Sequence, residues 1–237
     1  MELIRKLAVF TAVFTAVFMA FSVRGGDASG IGARGRAPGI AAPLALGSSC
    51  VSSDPSRICL GLKYVVYEDD KGVPVATASD ALANLREINL LHGRCNIAFQ
   101  IEQFEEVDPR QYDLAFNTAN TSDLDAIREK FSDRSHLLIV TTGPWNRAGT
   151  LGATSANAWT AMPGSGPYGS ILEAPVAKYS YIFAHELGHY LDLEHVDDAN
   201  DLMNPVIYQK SRDLSRSQCD TERTLADGLW RDATRSY

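Results

Sequence analysis

The sequence has little histidine, little basic charge and no long central hydrophobic run. Its 237 residues include 5 histidines, and 22 Lys and Arg stand against 29 Asp and Glu, which gives a formal net charge of −7. Phosphate contacts need clustered lysine and arginine, and the sequence has no basic run, so nucleic acids are excluded as partners. The hydrophobic share of 45% is ordinary for a globular protein with a core.

The longest apolar run lies at the N-terminus, after the basic start MELIRK. It extends from Leu7 to Phe21 and is shorter than the about 20 residues that span a bilayer. Ala20 and Ser22 place small residues where a signal peptidase cuts. We therefore predict a signal peptide over 1–22, no stable membrane insertion after its removal, and a secreted or periplasmic protein. An uncleaved anchor is the alternative.

Cysteine is also scarce, with Cys50, Cys59, Cys95 and Cys219 in the whole chain. No CxxC pair is present, which argues against a redox motif or a cysteine zinc knuckle. An exported chain meets an oxidising compartment, where an even count is consistent with two disulfides. Of the three possible pairings, we favour a local Cys50–Cys59 bond and a long-range Cys95–Cys219 bond.

The chain divides into a leader and one domain. Gly, Ala, Ser and Pro dominate from Val23 to Ser49, so we predict a flexible leader or short pro-segment over 23–58. Strand and helix patterns alternate over 59–237, which indicates one α+β domain. The predicted strands are 60–68, 95–107 (one face buried) and 136–143, and the predicted helices are 77–93, 122–132, 174–193 and 214–232. A loop, an edge strand and a second loop are expected over 147–170.

Three of the five histidines lie in one stretch of eleven residues, HELGHYLDLEH. His185 and His189 are four apart, so on a helix their rings project from one face and can share a metal ion. Glu186 stands beside them, where the glutamate of an HExxH helix can take a proton from water at the metal's open position. His195 is too distant along a straight helix, so the chain must turn back, and the central residue of that turn is Asp192. Aspartate tolerates the left-handed conformation better than most residues.

The string HExxHxxDxxH, followed by DLMNP, resembles the metzincin zinc metalloproteases. The resemblance implies that His185, His189 and His195 bind Zn²⁺, that Glu186 is the general base, and that Met203 is the methionine of a tight turn beneath the metal (the Met-turn). It also implies the fold: a metzincin-like single catalytic domain with a mixed twisted sheet, an active-site helix, the Met-turn and a C-terminal helix.

The function that the resemblance implies is an exported zinc-dependent endopeptidase that acts on protein or peptide substrates, and we expect a monomer. The alternative is a catalytically inactive zinc-bearing binding or scaffold protein. Two positions depart from the family: Asp192 replaces the usual glycine, and Pro205 stands where astacin-like members carry a tyrosine. Tyr208 is the nearest substitute for that tyrosine and is not expected to bind the metal.

Other polar and aromatic residues have simpler interpretations. Glu222 is an alternative third ligand if the chain belongs to a different HExxH branch. His92 and His136 are expected to be structural or to lie at the surface. The acidic residues between His195 and Met203 match no calcium loop and predict a solvated turn. The tryptophans are expected to be packing residues, although Trp159 is a candidate for the rim of the cleft.

Overall fold

The computed structural model describes residues 44–46, 50, 52–164 and 166–235. The predicted signal peptide 1–22 lies outside the described residues, as does most of the predicted leader 23–58. All described residues belong to one structural unit, 40–237. The domain boundary at 58/59 therefore stays a prediction.

One mixed sheet contains the seven strands of the described chain. The strands are β1 (Leu44–Leu46), β2 (Ile58–Tyr67), β3 (Ile97–Val107), β4 (Leu137–Thr142), β5 (Ala158–Thr160), β6 (Ser170–Glu173) and β7 (Thr234–Arg235). Their order is β1-β3-β2-β4-β6-β5, and β7 pairs with β2. The central pairs β3-β2, β2-β4 and β4-β6 are parallel, whereas the outer pairs β1-β3 and β6-β5 are antiparallel. The predicted mixed sheet is confirmed.

Helices cover both faces of the sheet, so the central strands are buried on both sides, as the continuous apolar run of β4 predicts. The helices are α1 (Ala78–His92), α2 (Thr121–Phe131), α3 (Ser180–Tyr190) and α4 (Arg216–Asp227). Side chains of α1, α3 and α4 share one hydrophobic cluster with one face of the sheet, and α2 packs in a second cluster on the other face. The predicted α+β domain is therefore confirmed.

Helix α1 shows how local sequence sets an element's bounds. Thr77 accepts a hydrogen bond from the backbone of Asp80, and the Asp80 carboxylate accepts one from the backbone of Thr77. This reciprocal capping box satisfies amide groups that the first helical turn cannot pair internally. The helix ends where Gly93 forms its C-cap, so both predicted limits are confirmed.

The helix predicted over 174–193 is shorter than expected. Helix α3 begins at Ser180, because the chain first completes strand β6 and then turns. The backbone amides of Val176 and Ala177 both donate to the carbonyl oxygen of Glu173, which closes this turn. The prediction also missed β6 itself, since Ser170–Glu173 is too short to show a period of its own.

Strand β3 was predicted to bury one face, and the structure buries both faces along its first half. The second face is covered by the segment around Cys50, which packs with Cys59 and Ala98. The backbone amide of Cys50 donates to the Gln100 side chain at 3.2 Å. The described part of the predicted leader therefore lies against the domain, and β1 extends the sheet beside β3.

Both favoured disulfides are confirmed: Cys50–Cys59 and Cys95–Cys219. The second bond joins the short 3-10 turn Gly93–Cys95, which follows α1, to the C-terminal helix α4, across a sequence separation of 124. Among the described residues, no helix is long and apolar enough to cross a membrane.

The edge strand β5 is held in place by Arg128 of α2. Its guanidinium group is 3% exposed and donates to the carbonyl oxygens of Gly169 at 2.9 Å and Trp159 at 2.8 Å. Burial lowers the pKa of Arg128, and the hydrogen bond and charge of Asp125 oppose this shift. The guanidinium group therefore ties β5 and the residue before β6 to the helix on the far face.

We expect the two disulfides to contribute unequally to stability. Replacing Cys95 and Cys219 by alanine removes a crosslink of sequence separation 124, whereas replacing Cys50 and Cys59 removes one of separation 9. Loop-closure entropy makes the first loss larger by about 2 kcal/mol of unfolding free energy. Urea denaturation of the two double variants measures the difference, and equal losses would contradict the expectation.

Candidate metal centre

Three histidine side chains converge at the end of α3. The ligating nitrogens of His185, His189 and His195 all lie within 4.8 Å of one another. The Nε2 atoms of His189 and His195 are 3.1 Å apart. Two nitrogens bound tetrahedrally to zinc at about 2.0–2.1 Å lie about 3.4 Å from each other, so this separation fits a shared zinc ion.

Two backbone carbonyls orient the helical pair of histidines. The Nδ1 atom of His185 lies 2.7 Å from the carbonyl oxygen of Leu202, and that of His189 lies 2.7 Å from the carbonyl oxygen of Leu193. A carbonyl oxygen only accepts, so in each ring Nδ1 carries the proton and donates. In the neutral ring, Nε2 then keeps its lone pair and can bind a metal.

The electrostatic surroundings keep these imidazoles neutral. Burial, together with the neighbouring His189 and His195, lowers the pKa of His185 to about 3. Burial likewise lowers the pKa of His189 to about 4. At neutral pH both rings are therefore uncharged, which is the form that binds a metal.

The turn after α3 is a Schellman motif with aspartate in the left-handed position. The amide of Asp192 donates to the carbonyl of His189, and the amide of Leu193 donates to the carbonyl of Gly188. Asp192 has φ 68°, which glycine adopts more readily than other residues. The prediction that aspartate could make this turn is confirmed, and the turn delivers both the Leu193 carbonyl and His195 to the cluster.

Met203 is fully buried and lies against Gly188 of α3. The Asp201 carboxylate accepts hydrogen bonds from the Met203 amide at 2.7 Å and from the Gln218 side chain of α4 at 2.9 Å. The amide of Val196 donates to the Met203 carbonyl at 2.9 Å. This turn therefore connects α4 to the segment that carries His195.

Gly188 lets Met203 approach the helix. A Cβ atom at Gly188 would lie 2.4 Å from the Met203 sulfur, so any larger residue would displace the methionine. Glycine inside a helix lowers the stability of the helix by about 1 kcal/mol relative to alanine. A helical glycine between two histidines therefore indicates in the sequence that another group approaches the helix closely at this position.

Glu186 is buried beside His185 and contacts the edge strand. Its side chain is 5% exposed, and its Oε2 atom accepts a hydrogen bond from the Thr160 hydroxyl at 2.5 Å. Burial raises the pKa of Glu186 to about 7, against the lowering effects of the Thr160 hydrogen bond and the Arg128 charge. A carboxyl group with a pKa near neutrality can both take up and release a proton. Sequence analysis missed Thr160, because its contact with Glu186 joins residues 26 positions apart.

Glu222 lies away from the histidine cluster and pairs with another histidine. It is fully buried in α4, with Oε1 at 2.8 Å from Nδ1 of His92. Burial alone would lower the pKa of His92, but the charge and hydrogen bond of Glu222 and the Ala184 carbonyl outweigh it and raise the pKa. The geometry thus places His92 in a structural role and does not support Glu222 as the third ligand.

The remaining candidates lie outside the cluster. His136 contacts the carboxylates of Glu102 and Asp133, which fits a structural role. Tyr208 is 46% exposed. Trp159 lies on the edge strand β5 and is partly buried, as a residue at the rim of a cleft would be.

We expect the turn to tolerate glycine and to reject a β-branched residue. Asp192→Gly should change the free energy of unfolding by less than about 1 kcal/mol, because glycine enters the left-handed region without a steric penalty. Asp192→Val should destabilise the zinc-free protein by about 1–3 kcal/mol. Urea denaturation measures both.

The exposed neighbour Glu194 is outside the left-handed region and provides the control, Glu194→Val. If Asp192→Val and Glu194→Val had equal free energies of unfolding, backbone strain at the turn would not be the cause of the destabilisation in Asp192→Val.

Comparison with known proteins connects this geometry to a family. The family model described as Matrixin matches residues 94–225, more than half of the chain. Mature mirolysin of Tannerella forsythia, solved with a cleaved peptide, superposes with a TM-score of 0.54 and 13% identity over 75% of this chain and 95% of that chain. Metalloproteinase-II of Bacteroides fragilis gives a TM-score of 0.49 and 15% identity over 74% of this chain and 56% of that chain. No curated protein matches. The fold agrees with that of mirolysin, and the matched family shows that this chain belongs to the matrixins, metalloendopeptidases of the metzincin type.

Proposed function

We propose that this matrixin is an exported zinc endopeptidase in which His185, His189 and His195 hold the metal and Glu186 is the general base. The observation that carries the proposal is the convergence of three imidazoles on one point, with burial keeping those of His185 and His189 neutral. When bound, zinc polarises the scissile carbonyl and lowers the pKa of water. The donor set of three nitrogens leaves the metal an open position, as in catalytic sites.

The protein's own contribution to the reaction is proton transfer by Glu186. Its carboxylate accepts a proton from the attacking water and then donates that proton to the amine that leaves. The burial of Glu186 keeps its carboxylate away from bulk water, and we propose that the carboxylate acts at the metal's water position. A scaffold protein that only stored zinc would have no use for a buried carboxylate at this place.

The peptide substrate would bind in extended form along the edge strand β5. The Glu173 amide donates to the Asn157 carbonyl, and the Ala161 amide donates to the Gly169 carbonyl, so these residues of the strand face β6. Because backbone groups alternate along an antiparallel strand, those of Ala158 and Thr160 point outward, to the open edge. A substrate strand can pair with them by main-chain hydrogen bonds, independently of its side chains.

Export is supported by the N-terminal sequence and by the two disulfides. Disulfides persist in oxidising compartments, such as the periplasm or the exterior of the cell. We therefore propose a secreted or periplasmic location, action on protein or peptide substrates, and a monomeric state.

Glu186→Ala should separate metal binding from catalysis. We expect the variant to keep one zinc ion per chain and to lose about 100- to 10,000-fold in casein hydrolysis, the range of general acid–base catalysis. Zinc content and proteolysis are measured on the same preparation. Glu129→Ala, an exposed glutamate of α2, is the control and should behave like the parent. Digestion of casein by Glu186→Ala at the parent's rate would refute the mechanism.

The third ligand can be assigned by comparing His195→Ala with Glu222→Gln. Removal of a direct ligand should weaken zinc binding by more than the about 10- to 100-fold that is typical of outer partners. Glu222→Gln keeps the size of the buried side chain and should leave zinc affinity close to that of the parent. Competition with a chelator measures the two zinc affinities. A weaker affinity in Glu222→Gln than in His195→Ala would contradict the assignment of His195 as the third ligand.

A further inference from the structure

Behind Glu186 lies a chain of two buried hydroxyl groups. The Thr160 hydroxyl contacts Oε2 of Glu186 at 2.5 Å, and the Ser170 hydroxyl lies 2.8 Å from the same Thr160 oxygen. Thr160 ends strand β5, and Ser170 begins its neighbour β6, directly opposite in the antiparallel register. The two strands therefore present their hydroxyl groups in series to the carboxylate.

The direction of these hydrogen bonds follows from the groups themselves. An ionised carboxylate only accepts, so the Thr160 hydroxyl donates a hydrogen bond to Glu186. The Thr160 oxygen can then accept the proton of Ser170. Thr160 also lies 3.2 Å from the backbone carbonyl of Glu186, but the shorter, charge-assisted bond is the stronger one. Both hydroxyl groups keep their protons during the reaction.

Water has little access to replace these contacts. Thr160 is 8% exposed, Ser170 is 1% exposed and Glu186 is 5% exposed. If the Thr160 hydroxyl is removed, Oε2 of Glu186 loses this buried hydrogen-bond donor. The carboxylate is then free to change its rotamer.

We propose that Thr160, supported by Ser170, is the positioning residue that holds the general base in its productive orientation. The proposal rests on the proposed role of Glu186. It adds a function to a residue whose backbone already faces the substrate edge. Because one residue both pairs with the substrate and holds the base, the distance between the scissile bond and the Glu186 carboxylate is set within a single strand.

The test compares Thr160→Val, which keeps the shape and removes the hydroxyl, with Thr160→Ser, which keeps the hydroxyl. We expect Thr160→Val to lower kcat by about 10- to 100-fold with little change in KM. The reason is that a catalytic group displaced by a small part of the reacting distance slows the chemical step by about this factor. Thr160→Ser should restore most of kcat. Zinc stoichiometry should stay that of the parent in both variants.

A second measurement uses the zinc-free protein. The infrared carboxylate band that disappears in Glu186→Gln belongs to Glu186. We expect this band to shift in Thr160→Val and to keep its position in Thr160→Ser. Ser170→Ala leaves the Thr160 hydroxyl in place and should lower kcat by less than Thr160→Val does. This variant still tests the proposal if Thr160→Val folds poorly.

Thr141→Val is the matched control. Thr141 is also a fully buried strand threonine, and its hydroxyl bonds to the Tyr64 hydroxyl at 3.0 Å, so the same chemical deletion is made away from Glu186. We expect its kcat to equal that of the parent.

Three results would overturn the proposal: an unchanged kcat in Thr160→Val, an equal loss in Thr160→Ser, or a change confined to KM. A fully active Glu186→Ala would instead refute the proposed function itself. The two failures are thus distinguishable.

Discussion

The histidine cluster depends on two main-chain carbonyls that lie outside the helix carrying the first two histidines. The carbonyl oxygens of Leu193 and Leu202 each accept a hydrogen bond from an Nδ1–H group and thereby direct an Nε2 atom toward the common point. A helix alone can space two rings one turn apart, but it cannot set their rotation or their tautomer. The chain that follows α3 has to return twice, once at Asp192 and once at Asp201, to supply these two acceptors.

Helix α4 secures the second return. Gln218 binds the carboxylate that shapes the turn around Met203, Cys219 is bonded to Cys95 just after α1, and Glu222 pairs with His92 at the end of α1. His92 in turn contacts the Ala184 carbonyl of α3 at 3.1 Å. Helix α4 thus contacts the turn around Met203 through one hydrogen bond and the segment 92–95 through one covalent bond and one ion pair, all from residues within about one and a half turns. Of these contacts, the Gln218 hydrogen bond is the one that reaches the turn whose Leu202 carbonyl orients His185.

The sequence predicts those structural features that depend on residues close to one another along the chain. The capping box of Thr77 and Asp80, the buried run of β4 and the spacing of His185 and His189 are local patterns, and the structure contains each of them. Asp192 shows that a local conformational preference can be inferred even where the usual glycine is missing.

What the sequence could not predict depends on contacts between distant segments. The late start of α3 follows from strand β6, which exists because β4 and β5 lie on either side of it. Thr160 has no motif around it and gains its contact with Glu186 only when β5 packs against the helix. The second buried face of β3 depends on a disulfide-bonded segment that precedes β2.

That disulfide also restricts how the leader can be separated from the domain. Cys50 and Cys59 are joined across a short loop, so a cut of the chain between them leaves both products covalently attached. The strand β1 remains paired at the edge of the sheet opposite β5, five strand spacings or about 24 Å away. In an oxidising environment, a cut between Cys50 and Cys59 would therefore release the N-terminal part only after reduction, whereas a cut before Cys50 would need no reduction.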